Sequence, residues 1–391
     1  MPKTKDLVFI TLVFLCCLQW ISLKYFGVSL HPPWNAISPG LAIFGAAYML
    51  SWGAELSQFE IPRSLAIAFL ALIAVLPEYA VDMYFAWEAG TKPEYVHYAT
   101  ANMTGSNRLL IGVGWAAVVF AYFYKTKKGE VKLENSNRTE ILALALATLY
   151  SFSIPLKGNI SWIDSIIFLS IFVWYMIQVC KSSHEEPELE GPIEKLASWP
   201  RLPRVLATLF FFIFSGFTIF ISAEPFAEGL LVAGEHLGIE KFILVQWLAP
   251  LASESPEFIV AIIFALRAHA SNSLGTLISS KVNQWTLLIG MLPIVYNLSA
   301  GHFHPMPMDA RQAEELFLTS AQSFFAIIMI VNLRFSITEA LLLFVLFVSQ
   351  LFFTTTEART LYAFVYLMLG VGWIFVVKGN KESIVQLFKR R

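Results

Sequence analysis

The sequence predicts an all-α polytopic membrane protein with about twelve transmembrane helices and an internal inverted repeat. Of its residues, 57% are hydrophobic and only 14% are charged, which leaves more apolar surface than a soluble domain can bury. Long apolar stretches recur along the chain, and short polar segments between them contain most of the Lys and Arg. Two of these stretches contain a Pro-Glu pair near their centre, where a membrane span rarely contains either residue.

The apolar stretches have the length of about 20 residues that a helix needs to cross a bilayer. The first, 7–26, follows a basic N-terminus, as in a signal peptide. Because its apolar run is long and no small-residue cleavage site follows, we expect a retained helix. The other predicted spans are 37–57, 62–87, 95–124, 139–156, 162–181, 204–233, 241–268, 272–298, 313–332, 336–354 and 358–378.

The distribution of Lys and Arg predicts the orientation of these spans. With a cytoplasmic N-terminus, 19 of the 27 basic residues fall in cytoplasmic segments and six fall outside, Arg359 among the six. This asymmetry agrees with the positive-inside rule. Arg108 and Lys281 are the remaining two, and both lie inside predicted spans. We therefore expect both termini in the cytoplasm and two cations within the membrane.

The two halves of the chain contain the same pair of patterns. In the first half "AVLPEYAVDMYFAW" precedes "ATANMTGSNRLLIGVGW", and in the second "ASESPEFIVAIIFAL" precedes "LGTLISSKVNQWTLLIGM". Each half thus combines a Pro-Glu helix with a helix that begins in small polar residues and reaches "LLIG". The second Pro-Glu helix comes five spans after the first, and because five is odd, the two helices run in opposite directions. Inverted repeats of this kind are typical of secondary transporters with binding sites near the midplane.

These segments resemble the α-repeats of the calcium/cation antiporter superfamily, the membrane domain of sodium/calcium exchangers. The similarity is strongest over residues 70–115 and 248–292. It implies two inverted five-helix repeats with one additional helix at each end. The implied divisions are an N-terminal helix and loop (1–36), a first repeat (37–181), a cytoplasmic linker (182–203), a second repeat (204–354), and a C-terminal helix with a basic tail (355–391).

Proline explains how such a helix forms an ion site. Pro77 and Pro256 lack an N–H and clash with the preceding turn, so each helix is expected to break there and release carbonyl oxygens. Glu78 and Glu257 then lie in the first turn of a half-helix, whose positive end favours a carboxylate. The resemblance assigns cation ligation to oxygen-bearing side chains in both repeats, namely Glu78, Asn102, Ser106, Ser253, Glu257, Thr276, Ser280 and Gln284.

The sequence also departs from the pattern of the family. Asp82, one turn after Glu78, and Glu254 add two acids that we include among the cation ligands. Leu110 stands where the family has a polar ligand, and Ala74 and Val75 replace its hydroxyl pair. The four acids together with the cations Arg108 and Lys281 leave a formal charge of −2. That charge would balance one Ca²⁺ or two monovalent ions.

Arg108 and Lys281 have two interpretations. In the first, they compensate charge in places that Na⁺ fills in relatives, with Lys281 as a proton carrier, because a buried Lys loses its proton readily. Alternatively, they are static ion-pair partners that hold the helix bundle together. The first interpretation couples transport to protons, whereas the second makes the two residues structural.

The sequence therefore predicts a secondary cation antiporter of the inner or plasma membrane that exchanges Ca²⁺, or a related cation, for H⁺ or Na⁺. A monovalent cation/proton antiporter and a non-transporting sensor or scaffold remain alternatives. An enzyme is not expected, since the sequence lacks the G-x-S-x-G and H-E-x-x-H motifs. The expected partners are inorganic cations and lipid, with no organic cofactor, nucleotide or nucleic acid.

Overall fold

The computed structural model describes residues 4–57, 59, 76–181, 193–238, 240–353, 355–377 and 379–389. Helices dominate, as the sequence predicts. The helices are α1 Thr4–Tyr25, α2 Trp34–Ser57, α3 Leu76–Ala89, α4 Tyr95–Thr126, α5 Arg138–Ser151, α6 Ser153–Lys157, α7 Trp162–Lys181, α8 Ile193–Ala197, α9 Arg201–Leu237, α10 Lys241–Leu266, α11 270–300, α12 Ala310–Ile330, α13 Ile337–Gln350, α14 Thr356–Val376 and α15 Asn380–Lys389.

Most predicted spans agree with these helices to within a few residues. In the described part of the chain, eight helices are long and apolar enough to cross a membrane, and a ninth span follows if the bent helix α10 is counted. Residues 62–75 of the third predicted span, which include Ala74 and Val75, lie outside the described residues. The linker and the basic tail were not predicted to be helical, yet they contain α8 and α15.

Two short antiparallel sheets, absent from the all-α prediction, join loops of the two halves of the chain. Strand β1 (Glu130–Lys132) pairs with β4 (Arg334–Ser336), and β2 (Asn159–Ile160) pairs with β3 (Met306–Pro307). Each pair connects a segment of 37–181 with a segment of 204–354. Extended backbone pairs in this way where a loop would otherwise leave N–H and C=O groups without partners.

The chain divides into two compact units. The first consists of Met1–Phe85 and Met176–Pro256, and the second of Ala86–Tyr175 and Glu257–Arg391. Each unit therefore contains parts of both predicted repeats. The boundaries fall within α3, α7 and α10, so that the two Pro-Glu segments lie at or near a change of unit.

In the first unit, small residues let the helices α1, α2 and α9 approach one another closely. A Cβ on Gly45 of α2 would come within 2.7 Å of the carbonyl oxygen of Val13, on α1. A Cβ on Gly229 of α9 would come within 2.8 Å of Cα of Ala36, at the start of α2. Close backbone approach is how helices associate where lipid removes the hydrophobic driving force.

The second unit is built around α4, α11 and α12, with α5, α13 and α14 packed outside them. Trp115 of α4 and Trp285 of α11 are fully buried in this unit. Polar residues are buried there as well, on α4, α11 and the first half of α12. A buried polar side chain is costly unless it has partners. The buried polar residues on these three helices therefore indicate a functional site.

Candidate cation-binding site

Helix α10 breaks where the sequence predicts. The segments Lys241–Glu254 and Glu257–Leu266 meet at a bend of 57°, with Pro256 at the junction. Proline cannot donate a backbone hydrogen bond, so the carbonyl four residues earlier, that of Ala252, loses its helical partner.

In the first unit, three predicted acidic ligands are buried. Glu78 and Asp82 are 3% and 0% exposed and lie one turn apart at the start of α3, and Glu254 is 2% exposed. Ser253, also buried, donates its hydroxyl proton to the carbonyl oxygen of Ala249 at 3.1 Å. That donation leaves the lone pairs of the hydroxyl oxygen available to a cation.

In the second unit, the structure brings two predicted ligands into contact. The Ser280 hydroxyl donates to Oε2 of Glu257 at 2.8 Å, which ties α11 to the second half of α10. Gln284 is fully buried on the same helix, one turn beyond Ser280. Thr276, one turn before Ser280, is exposed and donates to the carbonyl of Asn272 at 2.9 Å. The polar face of α11 thus extends from an exposed end to the half-buried carboxylate of Glu257.

On α4, the remaining predicted ligands Asn102 and Ser106 are both 0% exposed. Ser106 donates its hydroxyl proton to the carbonyl of Met103 at 3.1 Å. As with Ser253, an acceptor oxygen therefore remains for a cation. Hydroxyl, amide and carboxylate oxygens are the ligands that Ca²⁺ prefers, usually six to eight of them.

Each of the two helices α4 and α11 contains a π-helical turn, which the sequence analysis did not predict. The turns are Leu110–Trp115 and Gln284–Leu288, and they begin at equivalent positions of the two repeats. A π turn widens the helix and is frequent at functional sites. Next to the first turn, the Arg108 carbonyl accepts a hydrogen bond from Nε2 of Gln322 at 3.2 Å.

Arg108 belongs to a buried ion-pair network. Its Nη2 lies 2.5 Å from Oε2 of Glu315 on α12, and Nη1 of Arg359 lies 3.1 Å from Oε1 of the same carboxylate. Arg359 lies in the first turn of α14 and is 6% exposed. Glu315 is not among the predicted site residues, although an acid inside predicted span 313–332 was a usable signal.

Lys281 is fully buried and contacts the residue at the equivalent position of the other repeat. Asn107 follows Ser106 as Lys281 follows Ser280, and the Lys281 Nζ lies 2.5 Å from Oδ1 of Asn107. The same Nζ lies 4.2 Å from the ring centroid of Trp285, a cation–π contact. Equivalent residues meet where a pseudo-two-fold axis passes between inverted repeats.

The family model for the sodium/calcium exchanger protein matches residues 34–181 and 207–356. The structure is similar to a crystal structure of the H⁺/Ca²⁺ exchanger CAX, with 46% identity, a TM-score of 0.94, and coverage of 99% of this chain and 97% of that one. None of the curated proteins compared with the chain matches it.

Two more distant structures share the fold. The sodium-calcium exchanger NCX_Mj, soaked with 10 mM Na⁺ and zero Ca²⁺, has 18% identity and a TM-score of 0.54, with coverage of 82% of this chain and 98% of that one. Native YfkE has 14% identity and a TM-score of 0.62, with coverage of 93% and 100%. At these identities the similarity concerns the fold alone.

Proposed function

Because the chain belongs to the sodium/calcium exchanger family, we propose that it exchanges Ca²⁺ for H⁺ across a membrane by alternating access. The observation that carries the choice of ions is the 46% identity to the H⁺/Ca²⁺ exchanger CAX over 99% of the chain. The chain is an integral membrane protein of a cation antiporter family. What we propose is the identity of the two exchanged ions, Ca²⁺ and H⁺.

The chemistry of the ligand set supports this exchange. A carboxylate oxygen binds either Ca²⁺ or a proton, and the two compete for the same lone pairs. Ca²⁺ bound near Glu257 would gain the Ser280 hydroxyl as a second ligand, because these two groups are already 2.8 Å apart. Protonation of the carboxylates would release Ca²⁺, so that each ion drives the other out.

Three residues favour H⁺ over Na⁺ as the counter-ion. Leu110 has no side-chain oxygen, although the family has a polar cation ligand at this position. It is fully buried at the start of a π turn. Arg108 and Lys281 add fixed positive charge close to the predicted ligands in sequence. Fewer oxygen ligands and more cations weaken Na⁺ binding, whereas a proton needs only one oxygen.

We assign charge compensation to Arg108 and Lys281. Arg108 shares the Glu315 carboxylate with Arg359, and Glu315 and Arg359 together leave the formal count of −2 unchanged. The contacts of Lys281 with the Asn107 oxygen and the Trp285 ring are ones that an ammonium group makes better than a neutral amine. This favours a fixed charge at Lys281 over a proton carrier.

We also propose a membrane and an orientation for the protein. We place the protein in the cell (inner) membrane with both termini in the cytoplasm, and the excess of Lys and Arg in predicted cytoplasmic segments supports this orientation. An ion gradient would supply the energy, so that no nucleotide, organic cofactor or enzymatic step is required.

Transport by purified protein in liposomes tests this function. An imposed pH gradient should drive Ca²⁺ uptake, measured with a luminal Ca²⁺ indicator, and a pH-sensitive dye should record protons moving the opposite way. A Na⁺ gradient without a pH gradient should drive little uptake. Uptake driven by Na⁺ alone, transport of monovalent cations alone, or no transport by folded protein would each overturn the proposal.

A further inference from the structure

Arg359 is a buried cation that the proposed ligand set does not include. It lies in the first turn of α14, and its Nη1 lies 3.1 Å from Oε1 of Glu315. Oε2 of the same carboxylate lies 2.5 Å from Nη2 of Arg108. The match to the family model ends at residue 356, where α14 begins. Arg359 therefore reaches this network from a helix outside the two matched repeats.

The attachment of α14 to its neighbour does not require this ion pair. Helix α14 packs along α12 through apolar contacts. The rings of Phe325 and Trp373 lie 5.9 Å apart in an edge-to-face arrangement, and a Cβ on Gly370 would come within 2.6 Å of Cε1 of Phe324. Burial of an ion pair costs desolvation free energy, and well-packed apolar residues often stabilise a protein equally well. Packing alone therefore does not explain the charge of Arg359.

Helix α12 packs against both α4 and α14, and it holds Arg108 of α4 at two points. Its Glu315 binds the Arg108 guanidinium. Its Gln322, two turns further along, donates an Nε2 proton to the Arg108 carbonyl oxygen at 3.2 Å. All three side chains are buried. The side chain and the main chain of one residue of α4 are thus both fixed by α12.

Arg108 lies in the part of α4 that provides predicted cation ligands. It comes two residues after Ser106 and two residues before the π turn that starts at Leu110. The Leu110 N–H donates to the Ser106 carbonyl, so one helical hydrogen bond spans Arg108. Because this bond holds the segment together as helix, a displacement of Arg108 moves Ser106 and the start of the π turn with it.

We infer that Arg359 is a positioning residue for cation binding, which acts through Glu315 and Arg108 on Ser106. The inference rests on the proposed Ca²⁺/H⁺ exchange. With Arg359 in place, each oxygen of the Glu315 carboxylate has its own cation. Without Arg359, Oε1 loses that partner, and Arg108 turns to bind both oxygens, since a guanidinium fits a carboxylate in a bidentate way. That rotation pulls on α4 and moves Ser106 from its ligating position.

Arg359→Met tests this role, because Met removes the charge but keeps a long, unbranched side chain. Calorimetry on detergent-purified protein, well below its Tm, should show Ca²⁺ affinity reduced about 3- to 30-fold, the range for a residue that acts through a packed network. Loss of a positive charge by itself would strengthen Ca²⁺ binding, so the sign of the change separates positioning from a charge effect. Arg334→Met, at an exposed ion pair of 3.7 Å with Glu130, is the matched control and should leave the affinity unchanged.

A conservative variant distinguishes positioning from a structural role. Because Arg359 contacts one carboxylate oxygen, the point charge of a lysine can replace it, and Arg359→Lys should bind Ca²⁺ nearly as tightly as the wild type. Gln322→Met removes the second hold on Arg108 without a change of charge and should also weaken Ca²⁺ binding. If Arg359→Met does not fold, Arg359→Gln replaces it, since its neutral amide can still donate to Glu315, and the same loss of affinity is expected.

Three results would overturn the assignment. One is an unchanged or increased Ca²⁺ affinity in the neutral Arg359 variants, and a lower Tm with wild-type affinity would make Arg359 structural only. The second is a loss of affinity that Arg359→Lys does not restore. The third is wild-type affinity in Gln322→Met, because the hold on Arg108 would then not control the ligands. If the wild-type protein neither binds nor moves Ca²⁺, the proposed function itself fails, and that result does not depend on Arg359.

Discussion

The Nζ atom of Lys281 lies 2.5 Å from Oδ1 of Asn107, the residue at the equivalent position of the other repeat. The two residues are 174 positions apart in the chain and lie in the same compact unit. A cation thus stands at one of two equivalent positions, and the residue at the other position is its hydrogen-bond acceptor. This contact makes the charge of Lys281 part of the architecture around the site.

Lys281→Gln tests whether that charge is fixed or carries protons. We expect the pH dependence of transport to keep its shape, since the fixed charge does not titrate during the cycle. Removal of the ammonium group should destabilise the protein by about 1–3 kcal/mol, because Asn107 loses a buried donor. A change in the number of protons moved per Ca²⁺ would show instead that Lys281 is a proton carrier.

Glu315→Gln should be strongly destabilising. The change leaves Arg108 and Arg359 buried without their shared carboxylate, which costs about 3–5 kcal/mol. Thermal unfolding of detergent-purified protein measures the effect. Glu130→Gln is the control, because its ion pair with Arg334 spans 3.7 Å at an exposed site and should contribute less than about 1 kcal/mol. Equal losses in both variants would contradict a special role for the buried network.

Glu257→Gln should abolish the Ca²⁺-induced rise in Tm, because a ligand stabilises the folded state only if it binds that state. Ser280→Ala should weaken Ca²⁺ binding by about tenfold, which corresponds to ~1.4 kcal/mol. Thr286→Ala, which removes a buried hydroxyl bonded to the Val282 carbonyl on the same helix, should leave Ca²⁺ affinity unchanged. If the affinity loss is equal for Thr286→Ala and Ser280→Ala, Ser280 has no specific part in the site.

Ca²⁺ affinity should fall as the pH falls. Protonated carboxyl groups carry no charge and offer fewer lone pairs, so each proton taken up by the site opposes Ca²⁺. A pH series of Ca²⁺ titrations by calorimetry gives the number of displaced protons from the slope. The slope should be smaller in Glu257→Gln. An affinity that is constant with pH would argue against H⁺ as the counter-ion.

Gly112→Ala should destabilise the first π turn. An added Cβ would overlap the Phe347 ring of α13, and such overpacking typically costs about 1–3 kcal/mol. Gly216→Ala on α9, where a Cβ meets nothing within 4 Å, should be neutral or stabilising. Thermal unfolding of the two variants compares them directly, and equal effects would show that the Phe347 contact does not constrain the turn.

Local chemistry made much of this fold predictable. Apolar runs of sufficient length predict spans wherever they occur, and Pro256 bends α10 because its own ring and missing N–H disrupt the preceding turn. Glu257 and Ser280 could be nominated together because two duplicated patterns contain them, and the structure places them in contact. These features depend on residues close together in sequence or on a repeated pattern.

Tertiary structure alone decided which partner each buried charge receives. Glu315 lies 207 residues from Arg108 and Asn107 lies 174 residues from Lys281, so no local pattern indicates either pairing. The same holds for Arg359, which also pairs with Glu315. A charge in a low-dielectric interior is stabilised by whatever packing brings within a few ångströms, and that proximity depends on the contacts between helices distant in the chain.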